Sequence, residues 1–413
     1  MTTHNVSVEH DFFHSGVFAV PSGAAGPGPL LPGQAYEFEF AAAPGMKLSF
    51  ATMFLQSNDF FYAPDEAGVT LYDAGGQPLS GDVSDRIMLW DAGTEADQEP
   101  GLGMDQALRQ VAGNTGEADP DRSVRPAADT FNNLPAVKDV IALTLVSLGA
   151  GRFRLHMENV STESAISTSD GRAQPAVLAP GVWVVHTDDG PIFTSGEAER
   201  SEGFEAVVED GAAAEFGDIL SRRTGLTSPI GAGIAAVHGL GDRQVLFLEG
   251  SADLGMGLES LAEDGNPVAL ARALAITLGT HRVITLSAEA GPADPDFLLP
   301  GESYSFSFFD RGGRLSLAMM LAESNDLILA TGEDGIDLIE ASRRIDGDAT
   351  YAIGLWDAGT EVNEFPGAGP NQALRQSRPD TGDNEGGLVR LVDDGYENPQ
   401  VRDLIKVTVR HVR

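Results

Sequence analysis

Two stretches of the chain carry the same acids in the same order. Leu89 to Glu95 and Leu355 to Glu361 both read LWDAGTE, which sets Asp91 four positions before Glu95 and Asp357 four before Glu361. Asp97 and Glu99 follow in the first copy, Asn363 and Glu364 in the second. Each run leaves an apolar stretch at Asp-Ala-Gly, where glycine permits a backbone angle closed to other residues and turns the chain sharply. Such a corner aims carboxylates into one small volume. Crowded carboxylates repel unless a cation neutralises them, and Ca²⁺, with roughly six to eight oxygen ligands in loose geometry, suits the set better than Mg²⁺ with its strict octahedron. The tripeptide Ser-Asn-Asp, ending at Asp59 and at Asp326, supplies a second acidic loop after an apolar strand. Two strand-end loops can converge on one ion. The competing reading needs no metal, because Asp and Asn at glycine corners bond their own backbone, and spacing alone weighs the two equally.

The neighbouring residues read as structural. Trp90 and Trp356, one step from the turn at the end of an apolar strand, are core anchors before they are ligand platforms. Arg109 and Arg375 are placed to pair with nearby acids. Signatures of catalysis are scarce: the eight histidines form no HExxH, and neither a GxSxG elbow nor a P-loop occurs. Paired carboxylates could serve a hydrolase acting on glycans, yet among so many acids no pair stands out. The expectation is therefore a protein without enzymatic activity.

The elements that position these acids are duplicated with them. Residues 89–110 and 355–376 are identical at 15 of 22 positions without a gap. The register extends upstream to LPGQAYEFEF (31–40) and LPGESYSFSF (299–308), and downstream to NLPAVKDVIALTL and NPQVRDLIKVTV. The same elements in the same order mean two homologous domains, drawn here as 1–150 and 151–413. A shorter duplication, GFEAVVEDG (203–211) and GLESLAEDG (257–265), is followed each time by an alanine-rich stretch that reads as helix, so a helical insert is expected over about 200–280 of the second domain. Elsewhere short alternating or β-branched runs (YEFEF, KLSFATMFL, RIMLW, DVIALTL, RFRLHM, VWVVH, RQVLFLEG, RVITLSA, LIKVTVR) are punctuated by Gly, Pro, Asp and Asn. That pattern predicts a mainly β protein of two antiparallel sandwiches.

Bulk charge narrows the partners. The chain has 26 Lys plus Arg against 62 Asp plus Glu, a net charge of −36, and its only lysines are Lys47, Lys138 and Lys406. Such a surface repels phosphate backbones, so nucleic acid is not expected as a partner, whereas cations are attracted. Without cysteine there is neither a disulfide nor a thiolate site. The opening MTTHNVSVEHDFFHSG shows no secretory signal, and no run of about 18 apolar residues could span a bilayer.

Ser-Asn-Asp after an apolar strand, with Leu-Trp-Asp-Ala-Gly-Thr-Glu some thirty residues on, resembles the spondin N-terminal domain in its bacterial, cysteine-free form. The resemblance covers most of 5–150 and 178–413, and GLESLAEDG before the LPG strand adds to it. It implies a C2-like β-sandwich with calcium at one end, held by Asp59 and Asp91 in the first copy and by Asp326 and Asp357 in the second. Glu95 and Glu361 stand where a further ligand follows the threonine. It also implies an extracellular or cell-surface binding or adhesion module, whose partner is a glycan, a surface or matrix component, or another copy of itself. Animal members carry disulfides and neighbouring modules that this chain lacks, so their particular adhesion partners do not carry over. A self-assembling filament or layer protein is the second expectation.

Overall fold

The computed structural model describes every residue except 128–129, 201, 240–244, 287–296, 310–312, 333, 341–342 and 413. It is mainly β, with antiparallel sheets throughout. Contacts divide the chain into two compact units, His10–Gly225 and Leu226–Arg413 together with Met1–Glu9.

In the first unit a large sheet runs in the order His14–Phe18, Leu178–His186, Lys47–Phe54, Phe60–Pro64, Ile87–Asp91, Arg125–Pro126, with Val69–Thr70 also paired to Lys47–Phe54. A smaller sheet is ordered Ala35–Ala41, Arg152–Asn159, Ile141–Gly149, Gly81–Asp82. Between them Phe40, Phe153 and Leu155 meet Phe50, Tyr62 and Trp183, and the Phe38 ring stacks on Trp183 at 5.2 Å. Emptying such a position, as in Phe153→Ala, costs about 3–5 kcal/mol. The outer face of the large sheet is covered too. Helices α1 (Phe204–Asp210) and α2 (Ala213–Arg222) press Phe204, Val207, Val208, Phe216 and Leu220 against Phe61, Trp90, Val182 and Val184. A sheet covered on both faces needs apolar residues at successive positions rather than alternate ones, and Phe60–Pro64 is buried at all five.

The second unit repeats this plan. Its large sheet is ordered Thr280–Leu286, Ile230–His238, Arg314–Leu321, Leu327–Thr331, Ile353–Asp357, Arg390–Leu391. Helices α3 (Leu258–Asp264) and α4 (Val268–Ala275) cover it through Leu258, Leu261, Leu270 and Leu274. The smaller sheet is ordered Ser303–Ser305, Thr2–Asn5, Ile405–Val409, Gly347–Asp348. Thr2–Asn5 therefore fills the place that Arg152–Asn159 holds in the first unit. The match extends to side chains: Asn5 Nδ2 donates to Ser228 O and Leu298 O at 2.9 and 2.7 Å, as Asn159 Nδ2 does to Leu30 O and Ala176 O at 2.9 and 2.8 Å.

These pairings correct the division at 150. Leu178–His186 lies between His14–Phe18 and Lys47–Phe54 in one ladder, and α1 and α2 cover that same sheet, so 151–225 completes the first unit. The helical insert expected in the second domain alone is a helix pair in each unit. In the first unit the pair follows the strands; in the second it precedes most of them, and residues 2–5 supply a strand from the far end of the sequence. The two units are circular permutations of one plan. One run read as a strand is not one: within RQVLFLEG, residues 243–244 lie outside the described residues, and Val245, Leu246 and Phe247 form an irregular plug. The Phe247 ring packs on Trp356 at 5.1 Å.

Candidate metal centre

Asp59 sits in the tight connection between Lys47–Phe54 and Phe60–Pro64, and Asp91 ends the next strand, its Cα paired opposite Phe60. The ladder thus carries the two acids, 32 residues apart in sequence, to one edge. Both are fully buried. Asp59 Oδ2 accepts from Thr94 N (2.8 Å), Thr94 Oγ1 (3.1 Å) and Glu95 N (3.1 Å), which wraps the Asp-Ala-Gly-Thr turn around it. Among the described residues, Asp59 Oδ1 has no hydrogen-bond partner. Asp91 Oδ1 accepts from Gly93 N at 2.7 Å. Gly93 has φ +66°, and a Cβ there would stand 2.8 Å from the carbonyl oxygens of Asp121 and Ser123, so the corner requires glycine on two counts.

Oxygens of Asp59, Asp91 and Asp97 lie within 4.8 Å of one another. Arg125 borders the group: its Nη2 is 2.5 Å from Asp91 Oδ2 and from Asp119 Oδ2, and 4.0 Å from Asp97 Oδ2. The contact with Asp91 is an ion pair without hydrogen-bond alignment, and among the described residues Asp91 Oδ2 has no other donor. Burial, then the Asp91 charge, pushes Asp59 up to about 7. Burial and Asp97 do the same to Asp91, and burial and Asp59 raise Asp97 to about 6. One arginine does not neutralise these acids, and a divalent cation would oppose each of these shifts.

The second unit builds the same site. Asp326 Oδ2 accepts from Thr360 N, Thr360 Oγ1 and Glu361 N at 2.7, 3.2 and 3.2 Å, and Oδ1 is again buried without a partner among the described residues. Asp357 Oδ1 accepts from Gly359 N at 2.7 Å. Asn363 replaces Asp97 and donates to Asp357 Oδ2 at 2.9 Å; Arg390 reaches Asp357 and Glu385 at 2.7 and 2.9 Å. The close group is Asp326, Asp357 and Glu385. Burial and the Asp357 charge push Asp326 up to about 7.

Of the acids singled out in the sequence, Asp59 meets Asp91 and Asp326 meets Asp357. Glu95 and Glu361 point elsewhere. Glu95 accepts from Asn58 Nδ2 (3.1 Å) and Gly116 N (2.7 Å), and Asn325 Nδ2 donates to Glu361 at 3.0 Å. Their backbone N–H groups, rather than their carboxylates, serve the site. Trp90 and Trp356 are core anchors, 3% and 4% exposed, donating to Ala63 O and Ala330 O. Arg375 pairs with Glu323, whereas Arg109 bonds Gln106, Gln174 and the carbonyl of Gly101. No local spacing marks Arg125 and Arg390, which stand 34 and 33 residues beyond the aspartates they pair with. Glu209 and Glu263 were likewise visible only within the EDG repeat, and both come to lie beside the turn.

The fold and the site define a class: a mainly β protein of two antiparallel units, each with a cluster of carboxylate oxygens at a sheet edge. No model of a known protein family matches the chain, and no curated protein matches it.

Proposed function

We propose that the chain is a calcium-dependent, non-enzymatic binding protein of spondin type that works outside the cell or at its surface. The observation that carries this reading is the pair Asp59 Oδ1 and Asp326 Oδ1, each buried without a donor among the described residues and beside a second carboxylate. A buried carboxylate oxygen without a donor or cation is costly, and the same cost recurs in both units. Asp59, Asp91 and Asp97 would hold one ion, and Asp326, Asp357 and Glu385 another; hard carboxylate oxygens suit Ca²⁺. The ion would tie the Ser-Asn-Asp connection to the long loop after Asp-Ala-Gly-Thr, adding stability that depends on its free concentration. Millimolar calcium outside cells suits such a staple. The partner class is a glycan, a surface or matrix component, or a second copy of the chain.

Elemental analysis of the purified protein, with melting curves in calcium and in EDTA, tests the metal. Bound calcium and a melting temperature lowered by chelation are expected. Identical curves in calcium and EDTA would overturn the reading.

A further inference from the structure

The inner strand of the smaller sheet is shorter in the second unit than in the first. In the first unit Arg152–Asn159 runs between Ala35–Ala41 and Ile141–Gly149. In the second, Thr2–Asn5 lies between Ser303–Ser305 and Ile405–Val409. Its ladder reaches Met1, whose amine donates to Phe306 O at 2.8 Å and whose carbonyl accepts from Phe306 N at 3.0 Å. Carried one step further, the registers equate Met1 with Leu155, Ser307 with Glu39, Phe308 with Phe40 and Arg410 with Val146. No described residue of the second unit takes the places that Arg152, Phe153 and Arg154 hold in the first.

A cavity of about 1000 Å³ opens there. In the first unit Phe153 is fully buried, its ring 5.7 Å from Phe40 and 5.3 Å from Tyr72. In the second the same position is bounded by Phe308, Leu338 and Ile345. Phe308 is half-buried where Phe40 is buried, and at the rim Phe309 and Val412 are 93% and 82% exposed. Among the described residues, 307–309 and 410–412 face each other without a ladder bond between or across them. An added strand suits such a place, because its N–H and C=O groups complete two ladders at once while alternate side chains point into the sandwich.

Charge selects the strand. In the first unit Arg152 and Arg154 pair across the ladder with Glu39 at 2.7 and 2.6 Å. In the second, Ser307 replaces that acid, and the walls carry His281, Arg282, Arg410 and His411. Such a cationic rim stands out in a chain of net charge −36, and it attracts acids.

We propose that the smaller sheet of the second unit takes up an extended acidic peptide of another protein as an added strand, with an aromatic side chain in the Phe153 place and carboxylates against Arg282 and Arg410. The site lies at the end of the unit away from the turn. Thr280 and Arg314 flank His238 there, whereas Leu321, at the other end of the strand that Arg314 begins, leads to Asp326. Strand addition at this end requires no ion, so it stands or falls apart from the calcium reading.

The test titrates the full chain, in calcium and in EDTA, with the acetylated and amidated peptide SEFEVES carrying a fluorescent label. One peptide is expected to bind per chain, with the same affinity in both buffers, and to slow hydrogen exchange at 307–309 and 410–412. The peptides SKFKVKS and SEGEVES should bind at least tenfold more weakly, as should SEFEVES to Arg282→Glu, Arg410→Glu combined. Both arginines are exposed, so the variant should keep the native melting curve. Failure of SEFEVES to bind, equal affinity for SKFKVKS, or binding that leaves exchange at those segments unchanged would overturn the proposal. A dimer of the chain alone that already protects them would do the same by making a second copy the occupant. Peptide binding that vanishes in EDTA overturns it and leaves the calcium reading standing; binding by a chain that holds no calcium keeps this proposal and sinks that reading.

Discussion

Asp59→Asn separates a metal site from a structural corner by the sign of its effect. At pH 8 the carboxylate is ionised folded or unfolded, but burial and Asp91 have raised its folded pKa to about 7 from 3.8. Holding the charge in the fold therefore costs about 4 kcal/mol, at roughly 1.36 kcal/mol per unit, and Asp91 shares this cost. Asparagine removes it. Against the gain, three bonds to Oδ2 change from charge-assisted to neutral and lose about 2 kcal/mol together. The calcium-free variant should be the more stable by about 2 kcal/mol, which raises the melting temperature of a unit this size by about 4–8 °C. With calcium a hundredfold above its Kd the native protein gains about 2.7 kcal/mol, and the variant gains nothing from this site. Calorimetry in EDTA and in calcium reads both effects. If Asp59 only fastened its own turn, the variant would melt lower in EDTA and calcium would move neither protein. That result would refute the reasoning.

Three further outcomes are expected. For a carboxyl whose folded pKa lies above its unfolded value, the fold holds the extra proton between about pH 4 and 7, so this contribution is present at the acid end and lost as pH rises through the folded pKa. With Asp59, Asp91 and Asp326 near 7, the gap between melting curves in calcium and EDTA should widen from pH 5 to 8.5; a constant gap would count against metal at these groups. Asp97→Asn should weaken the turn site of the first unit about tenfold and Asn363→Asp strengthen that of the second to a similar degree, measured by calorimetric titration. Deleting residues 1–9 should unfold or strongly destabilise 226–413 while 10–225 keeps its hydrogen-exchange protection, and a synthetic peptide of residues 1–9 should restore the lost protection.

Local pattern determined a good deal of this protein. Strand periodicity, glycine corners and the duplicated LWDAGTE are written within a few residues of one another, so the β class, the doubling and the pairing of Asp59 with Asp91 and Asp326 with Asp357 were legible in sequence. A strand of five to eight residues ending in an acid fixes where that acid emerges. Only the tertiary structure decided what meets it there. Glu95 gives its N–H to Asp59 and its carboxylate to Asn58 and Gly116, while Asp97, two residues on, brings its carboxylate to Asp59 and Asp91. Arg125 and Glu209 reach the turn from elements whose spacing from it carries no period. The place of Thr2–Asn5 beside Ile405–Val409 depends on hydrogen bonds between residues about 400 positions apart, and a four-residue strand carries no mark of its partner. Local steric preference chooses the elements; burial and ladder pairing across the whole chain choose their neighbours.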